Sequence, residues 1–248
     1  MKILLENISS PPEKMKMMFE AVSELIKERK DTISKGYKAL WTEKGFKSED
    51  VKEPDDRANA LALLSGLASE EQYETIINVL TTTKNSSPYM EYYVLEALCK
   101  IGEYEEAYNR IKDRYEDMVN EDYSTLWEFW NSWQGTKNHA WSGGPLVIMS
   151  KHFAGITPLE AGYEKVKIDP QYTLYDNINC IVPSVKGLIT IDYNKSGEEC
   201  VINLTLPQGI KADLYIPENA TVNVNSEPFY QNDEYVNEKI ANIEIITD

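Results

Sequence analysis

Apolar residues recur at every third or fourth position in the first part of the chain and at every second position in the last part. Met15, Met18, Phe19, Val22, Leu25 and Ile26 make one helix face, introduced by Ser9-Ser10-Pro11-Pro12, where prolines suit a first turn. A second helical pattern covers about residues 31–43 and ends in Leu40-Trp41, and Lys44 to Pro54 reads as a polar connection. Asp55-Asp56 can cap the run from Arg57 to Ala68, whose small residues and leucines allow close packing. Ser69-Glu70-Glu71 opens a helix with Tyr73, Ile76, Ile77 and Leu80 inward. Met90, Tyr93, Val94, Ala97, Leu98 and Ile101 mark another, ending at Gly102, and Ala107, Ile111, Tyr115 and Met118 one more. Short connections make such helices antiparallel neighbours, a series of helical hairpins. A last apolar helix is expected over Leu146 to Phe153, then a turn at Ala154-Gly-Ile-Thr-Pro158. Seven short alternating segments follow, beginning near Tyr163, Ile178, Gly187, Cys200, Lys211, Ala220 and Lys239. They are rich in β-branched residues and divided by Pro, Gly and Asn turns. They predict an antiparallel β-sandwich over 156–248, after a helical region over 1–155.

Composition narrows the function classes. The net charge of −16 opposes binding to nucleic acid or to an anionic membrane surface. No apolar run reaches the roughly 18 residues of a membrane span. Glu6 interrupts the apolar core that a signal peptide would need, so a complete chain of this sequence is expected in the cytoplasm. Cys99, Cys180 and Cys200 have no metal spacing and read as buried free thiols. No nucleotide or metal signature occurs, and neither cofactor nor metal is expected.

The stretch from Ser124 to Gly144 holds four of the five tryptophans, one of the two histidines and Glu128. Aromatic faces beside a carboxylate and an imidazole suit a sugar ring and acid–base chemistry on it. Glu128 lies between Trp127 and Phe129; a carboxylate desolvated among indoles holds its proton more tightly and suits a base near neutral pH. The alternative is a capping glutamate at a helix start. His139 can donate to a sugar hydroxyl or orient a water, or be a packed core histidine. Of Trp127, Trp130, Trp133 and Trp141, one or two are expected at a ligand and the rest in the core. His152, in an apolar segment, reads as structural; Asp55 with Arg57 reads as a cap plus ion pair; Glu91 is a second candidate carboxylate.

Ser124-Thr-Leu-Trp-Glu-Phe-Trp together with Asn138-His-Ala-Trp-Ser-Gly-Gly resembles the bacterial α-L-rhamnosidases of glycoside hydrolase family 78. Asp55-Asp-Arg-Ala-Asn-Ala-Leu-Ala and Ser87-Pro-Tyr-Met-Glu resemble late helices of that family's (α/α)6 barrel. Gly155-Ile-Thr-Pro-Leu-Glu-Ala-Gly-Tyr163 and Val182-Pro-Ser-Val-Lys-Gly resemble its C-terminal sandwich. The resemblance implies an α + β multidomain fold, a partial (α/α)6 toroid followed by an antiparallel β-sandwich. It implies an inverting hydrolase that removes terminal rhamnose from glycosides, with two carboxyl groups flanking a water. Glu128 matches the general base and His139 a rhamnose contact; Asn138, Trp127 and Trp130 would shape the pocket. The segment between Glu128 and His139 is shorter than in the family, and the family's general acid belongs to an earlier acidic motif that nothing here matches. The chain is therefore expected to be inactive alone, with a missing N-terminal half or self-association as its partner. The rival expectation is a non-catalytic carbohydrate-binding or structural fragment.

Overall fold

The computed structural model describes residues 13–120, 122–217, 221–224, 227–229 and 240–246. The chain divides into two compact units between Asn85 and Ser86. The Ser9–Pro12 start signal lies outside the described residues.

In the first unit, α1 (Glu13–Lys38) is one continuous helix where the sequence pattern suggests two. Nothing between Arg29 and Thr32 breaks it: the run is of helix-tolerant polar residues, and the Thr32 hydroxyl donates back to the Glu28 carbonyl. Its apolar face exists but is uncovered. No residue of α1 is buried, and Met17, Met18, Leu25 and Ile26 are each more than half exposed. A small hairpin, β1 (Trp41–Thr42) and β2 (Gly45–Phe46) with Phe46 buried, replaces the end of the expected second helix and opens the expected polar connection. The buried Asn59 side chain explains it, accepting from Phe46 N (2.9 Å) and donating to Phe46 O (3.0 Å) as a neighbouring strand would. Asn59 belongs to α2 (Asp56–Leu64), capped by Asp55, which accepts from the Arg57 backbone and pairs with its guanidinium. Those bonds from Arg57 hold the Asp55 carboxyl below its ordinary range against the opposing effect of burial. The cap-plus-ion-pair reading of this cluster therefore holds. A Ser69/Gln72 capping box leads into α3 (Tyr73–Thr82), which packs on α2 through Ile76, Val79 and Leu80.

In the second unit, α4 (Pro88–Lys100) begins at the Ser87 cap and α5 (Tyr104–Asn120) returns beside it. Each buries residues of the stripe that its apolar spacing marks out, Val94, Ala97 and Leu98 on α4 and Ala107, Ile111 and Tyr115 on α5, and Leu95 is buried with them. After an irregular segment, α6 (Gly144–Ile148) packs on α4, and a π-turn over Met149–Phe153 replaces the rest of the expected helix.

The strands of the second unit begin at Ile156. One sheet has three strands, β3 (Ile156–Pro158), β4 (Lys165–Ile168) and β8 (Lys211–Leu214). The other has six. Its order is β10 (Glu227–Phe229), β9 (Thr221–Val224), β11 (Ile240–Ile246), β7 (Glu199–Thr205), β6 (Gly187–Ser196) and β5 (Asn177–Ser184). The larger sheet is antiparallel, as expected, but β4 and β8 run parallel, because β5 to β7 are crossed between them. Ile189, Ile191 and Tyr193 on β6 and Cys200, Ile202 and Leu204 on β7 alternate inward and share one core with Ile156, Val166 and Ile168 of the smaller sheet. That shared core makes the two sheets a sandwich. Each fully buried aliphatic side chain stabilises it by about 1.5–3 kcal/mol, and a one-residue slip would expose the set. Gly155 joins the helices to the strands with φ +72°; a Cβ there would stand 2.0 Å from the Asp169 carbonyl oxygen, so no larger residue fits.

Candidate active site

The segment 122–139 forms neither helix nor strand, so Glu128 is not a helix-start glutamate. It folds back on itself like a loose hairpin. Glu128 N donates to Thr136 O (3.0 Å) and His139 N to Leu126 O (2.9 Å), while the Thr125 hydroxyl donates to Lys137 O. Gly135 makes the return possible: its φ is +66°, and a Cβ would meet Phe129 at 2.6 Å and the Glu128 carboxylate at 2.8 Å.

The fold-back brings Glu128 and His139, eleven positions apart, onto one hydroxyl. Thr136 donates its backbone N–H to Glu128 Oε2 (3.0 Å), its Oγ1 lies 3.2 Å from the same oxygen, and that Oγ1 is 2.8 Å from His139 Nδ1. Nδ1 and Oε2 are 3.7 Å apart, and both side chains are between a fifth and a third exposed. Among the described residues every hydrogen bond to the Glu128 carboxylate ends on Oε2. Oε1 and the outer ring nitrogen of His139 are left to meet solvent or a ligand. The His139 ring packs on Trp141 with centroids 4.0 Å apart; Trp141, 44% exposed, meets Tyr89, which in turn touches Tyr93. An aromatic surface thus borders the carboxylate and imidazole.

The other candidate residues lie elsewhere around this loop. Trp127 is 1% exposed and packs with Tyr115 and Met118. Lys137 Nζ stands 4.9 Å over its ring, so its faces serve the core rather than a ligand. Trp130 is half-buried. Its indole N–H donates to Ser86 O (2.7 Å) and its ring carries the Arg114 guanidinium at 4.1 Å, an anchor for the loop. Asn138 is exposed beside His139, and Trp133 is 82% exposed. Glu91 is fully buried, bonded by Arg110 and the Ser86 hydroxyl, and presents no oxygen to solvent. His152 bonds Glu96 at 2.9 Å beside Lys151. Burial works to raise the Glu96 carboxyl, and the bonds from His152 and Lys151 overcome it, holding it at about 2. The structural reading of His152 fits this arrangement. The three cysteines are free, and burial pushes Cys99 up to about 12 and Cys200 up to about 11. Among the described residues no three His, Cys, Asp or Glu side chains gather as metal ligands would, and no helix is long and apolar enough to cross a membrane. A groove of about 340 Å³ lined by Tyr37, Leu40, Phe46 and Val51 lies in the first unit and contains none of the candidate residues.

Sequence reasoning found Glu128 and His139 but not Thr136, which joins them. No pattern of residue types marks a loop threonine; only the fold-back does.

Comparison with known proteins bears on the fold. Residues 155–229 match the bacterial alpha-L-rhamnosidase C-terminal domain. The solved structures agree over a longer stretch. An α-L-rhamnosidase from Dictyoglumus thermophilum superposes with a TM-score of 0.76 at 18% identity, over 94% of this chain and 30% of that one. The GH78 family rhamnosidase of Bacillus SP. GL1 gives 0.67 at 24% identity, over 79% of this chain and 23% of that one. An α-L-rhamnosidase from Streptomyces avermitilis, solved in complex with L-rhamnose, gives 0.66 at 19% identity, over 87% and 23%. A search of curated proteins found no match. The chain spans less than a third of the length of these rhamnosidases and shares the fold of that portion. The resemblance read from the Trp-Glu and Asn-His elements is thus supported by a family match and by fold.

Proposed function

We propose that this chain forms the general-base side of an inverting α-L-rhamnosidase-type site, with Glu128 as the base and His139 as a sugar contact. The observation that carries this reading is the convergence of Glu128 and His139 on Thr136, on a rhamnosidase-like fold. Glu128 keeps Oε1 open to take a proton from an attacking water while Oε2 is held by Thr136. His139 and the exposed face of Trp141 would meet the sugar, with Asn138 beside them. Trp127 and Trp130 act from beneath, holding the loop. The substrate class is a rhamnose-containing glycoside. Inversion needs a second carboxyl group across the anomeric carbon. Glu91 is sealed by Arg110, so we assign the acid to protein outside this chain and take the chain alone to be inactive. In this reading residues 1–155 are the late part of a six-hairpin barrel and 156–248 its sandwich. The uncovered apolar face of α1 supports a partner, either a second copy or the rest of such a barrel.

A second reading, a non-catalytic sugar-binding module, is favoured by the exposed rings of Trp133 and Trp141. Calorimetry with L-rhamnose and turnover of an aryl α-L-rhamnoside separate the two. The base assignment predicts rhamnose binding weakened by His139→Ala, and no turnover by the chain alone. Turnover that survives Glu128→Gln contradicts it. Binding lost in Trp133→Ala but kept in His139→Ala supports the module.

A further inference from the structure

We infer that Thr136 is a positioning residue that fixes the tautomer of His139, keeping the proton on Nδ1 and turning a bare Nε2 outward as a hydrogen-bond acceptor. The inference deepens the proposed sugar site and rests on it only for its functional consequence.

Thr136 Oγ1 carries a single hydrogen and has two neighbours that could take it, Glu128 Oε2 at 3.2 Å and His139 Nδ1 at 2.8 Å. An ionised carboxylate only accepts, whereas a neutral imidazole nitrogen either donates or accepts according to tautomer. If the hydroxyl donated to Nδ1, its lone pairs would face those of Oε2, and only the Thr136 backbone N–H, 3.0 Å away, would serve that oxygen. If the hydroxyl donates to Oε2, the carboxylate gains a second, charge-assisted bond, and Nδ1–H completes the chain by donating to Oγ1. The second arrangement satisfies every atom. It also leaves a proton rather than a lone pair on Nδ1, 3.7 Å from Oε2. The tautomer is therefore set by the charge on Glu128, transmitted through Thr136.

The consequence is a specificity rule. With Nε2 bare, His139 recognises a donor, so a sugar hydroxyl must give its hydrogen to the imidazole. Trp141 holds the ring from its face, so the plane is set independently of the tautomer.

The test is nitrogen-15 NMR of the imidazoles in the whole chain. His139 and His152 are the only two, and His152 serves as the internal reference. In the wild-type chain at neutral pH, Nδ1 of His139 should resonate as the proton-bearing nitrogen and Nε2 as the bare one. Thr136→Ser should keep that pattern, and Thr136→Val should shift His139 toward the Nε2–H form while the His152 signals stay in place. A wild-type His139 in the Nε2–H form overturns the inference, as does a Thr136→Val chain with native His152 signals and an unchanged His139 tautomer. Should Thr136→Val fail to fold, the wild-type and Thr136→Ser spectra decide. All these readings are made without ligand. A chain that shows the Nδ1–H tautomer but binds no L-rhamnose therefore refutes the sugar site and leaves the positioning role standing.

Discussion

The molecule contains two glutamate–histidine pairs built to opposite ends. Glu96 and His152 touch directly at 2.9 Å, Lys151 joins them, and the carboxyl is driven to about 2. Glu128 and His139 are 3.7 Å apart, with the Thr136 hydroxyl between them and, among the described residues, no lysine or arginine ion-paired to the carboxylate. The first pair spends one oxygen on Lys151 and the other on the His152 ring, and ties α4 to the π-turn before the strands. The second spends one oxygen and leaves the other open. A carboxylate bonded on both oxygens is a fastener; one held by a single oxygen can still take a proton. Residue type alone does not separate these cases, since both are a Glu and a His in aromatic-rich surroundings.

The largest effect that sharpens this contrast is expected at Glu128. In any assembly of this chain that turns over an aryl α-L-rhamnoside, Glu128→Gln should lower kcat by about 10²–10⁴-fold with little change in melting temperature. Steady-state kinetics beside a thermal melt check it; an equal loss in Glu96→Gln would erase the distinction. Next is stability at the other pair. Glu96→Gln should cost about 1–2 kcal/mol in urea unfolding, a figure kept low for the water around a partly exposed group. Because the folded carboxyl sits near 2 against an ordinary value near 4.5, its contribution is full above pH 4.5. It is lost as pH falls toward 2. The gap between wild type and variant should close across that window; a gap constant from pH 6 to pH 2 would refute the ion-pair account. The smallest effect is expected at Trp141→Ala. Removing the ring that backs His139 should weaken rhamnose binding by a few-fold, consistent with about 0.5–1.5 kcal/mol for one aromatic contact. Calorimetry reads that change.

The regular parts of the fold were legible because the periods are clean. Ile189, Ile191 and Tyr193 alternate along β6, and Ile76 and Leu80 line α3, as their spacing demands; Val79 takes the inward place where the pattern suggests Ile77. What spacing does not carry is a polar substitute for backbone pairing. Asn59 creates the Gly45–Phe46 strand from a helix thirteen residues on, and nothing local to Phe46 announces it. The parallel β4–β8 pair escaped for a related reason, since strand direction depends on the path between the strands and not on their alternation. At the site, the Glu128 and His139 side chains were visible as types, and the Asn-His and Trp-Glu elements carried the family resemblance. Their junction depends on Gly135 turning the loop, and the roles of Trp127 and Trp130 depend on Arg114, Tyr115 and Ser86, all remote in sequence. Equally, α1 has the pattern of a buried helix, yet its apolar face is uncovered, because periodicity reports a face and not its partner.

The two histidines provide the most direct test of the central claim, that the Glu128–His139 pair and not the Glu96–His152 pair faces a sugar. L-rhamnose is titrated into the wild-type chain while the imidazole resonances of both are followed. The account predicts that His139 shifts in a saturable manner, that His152 stays fixed, and that the His139 shift is lost in Glu128→Gln or reduced in Trp141→Ala. Saturable movement of His152 with a silent His139, or no response from either, would contradict it.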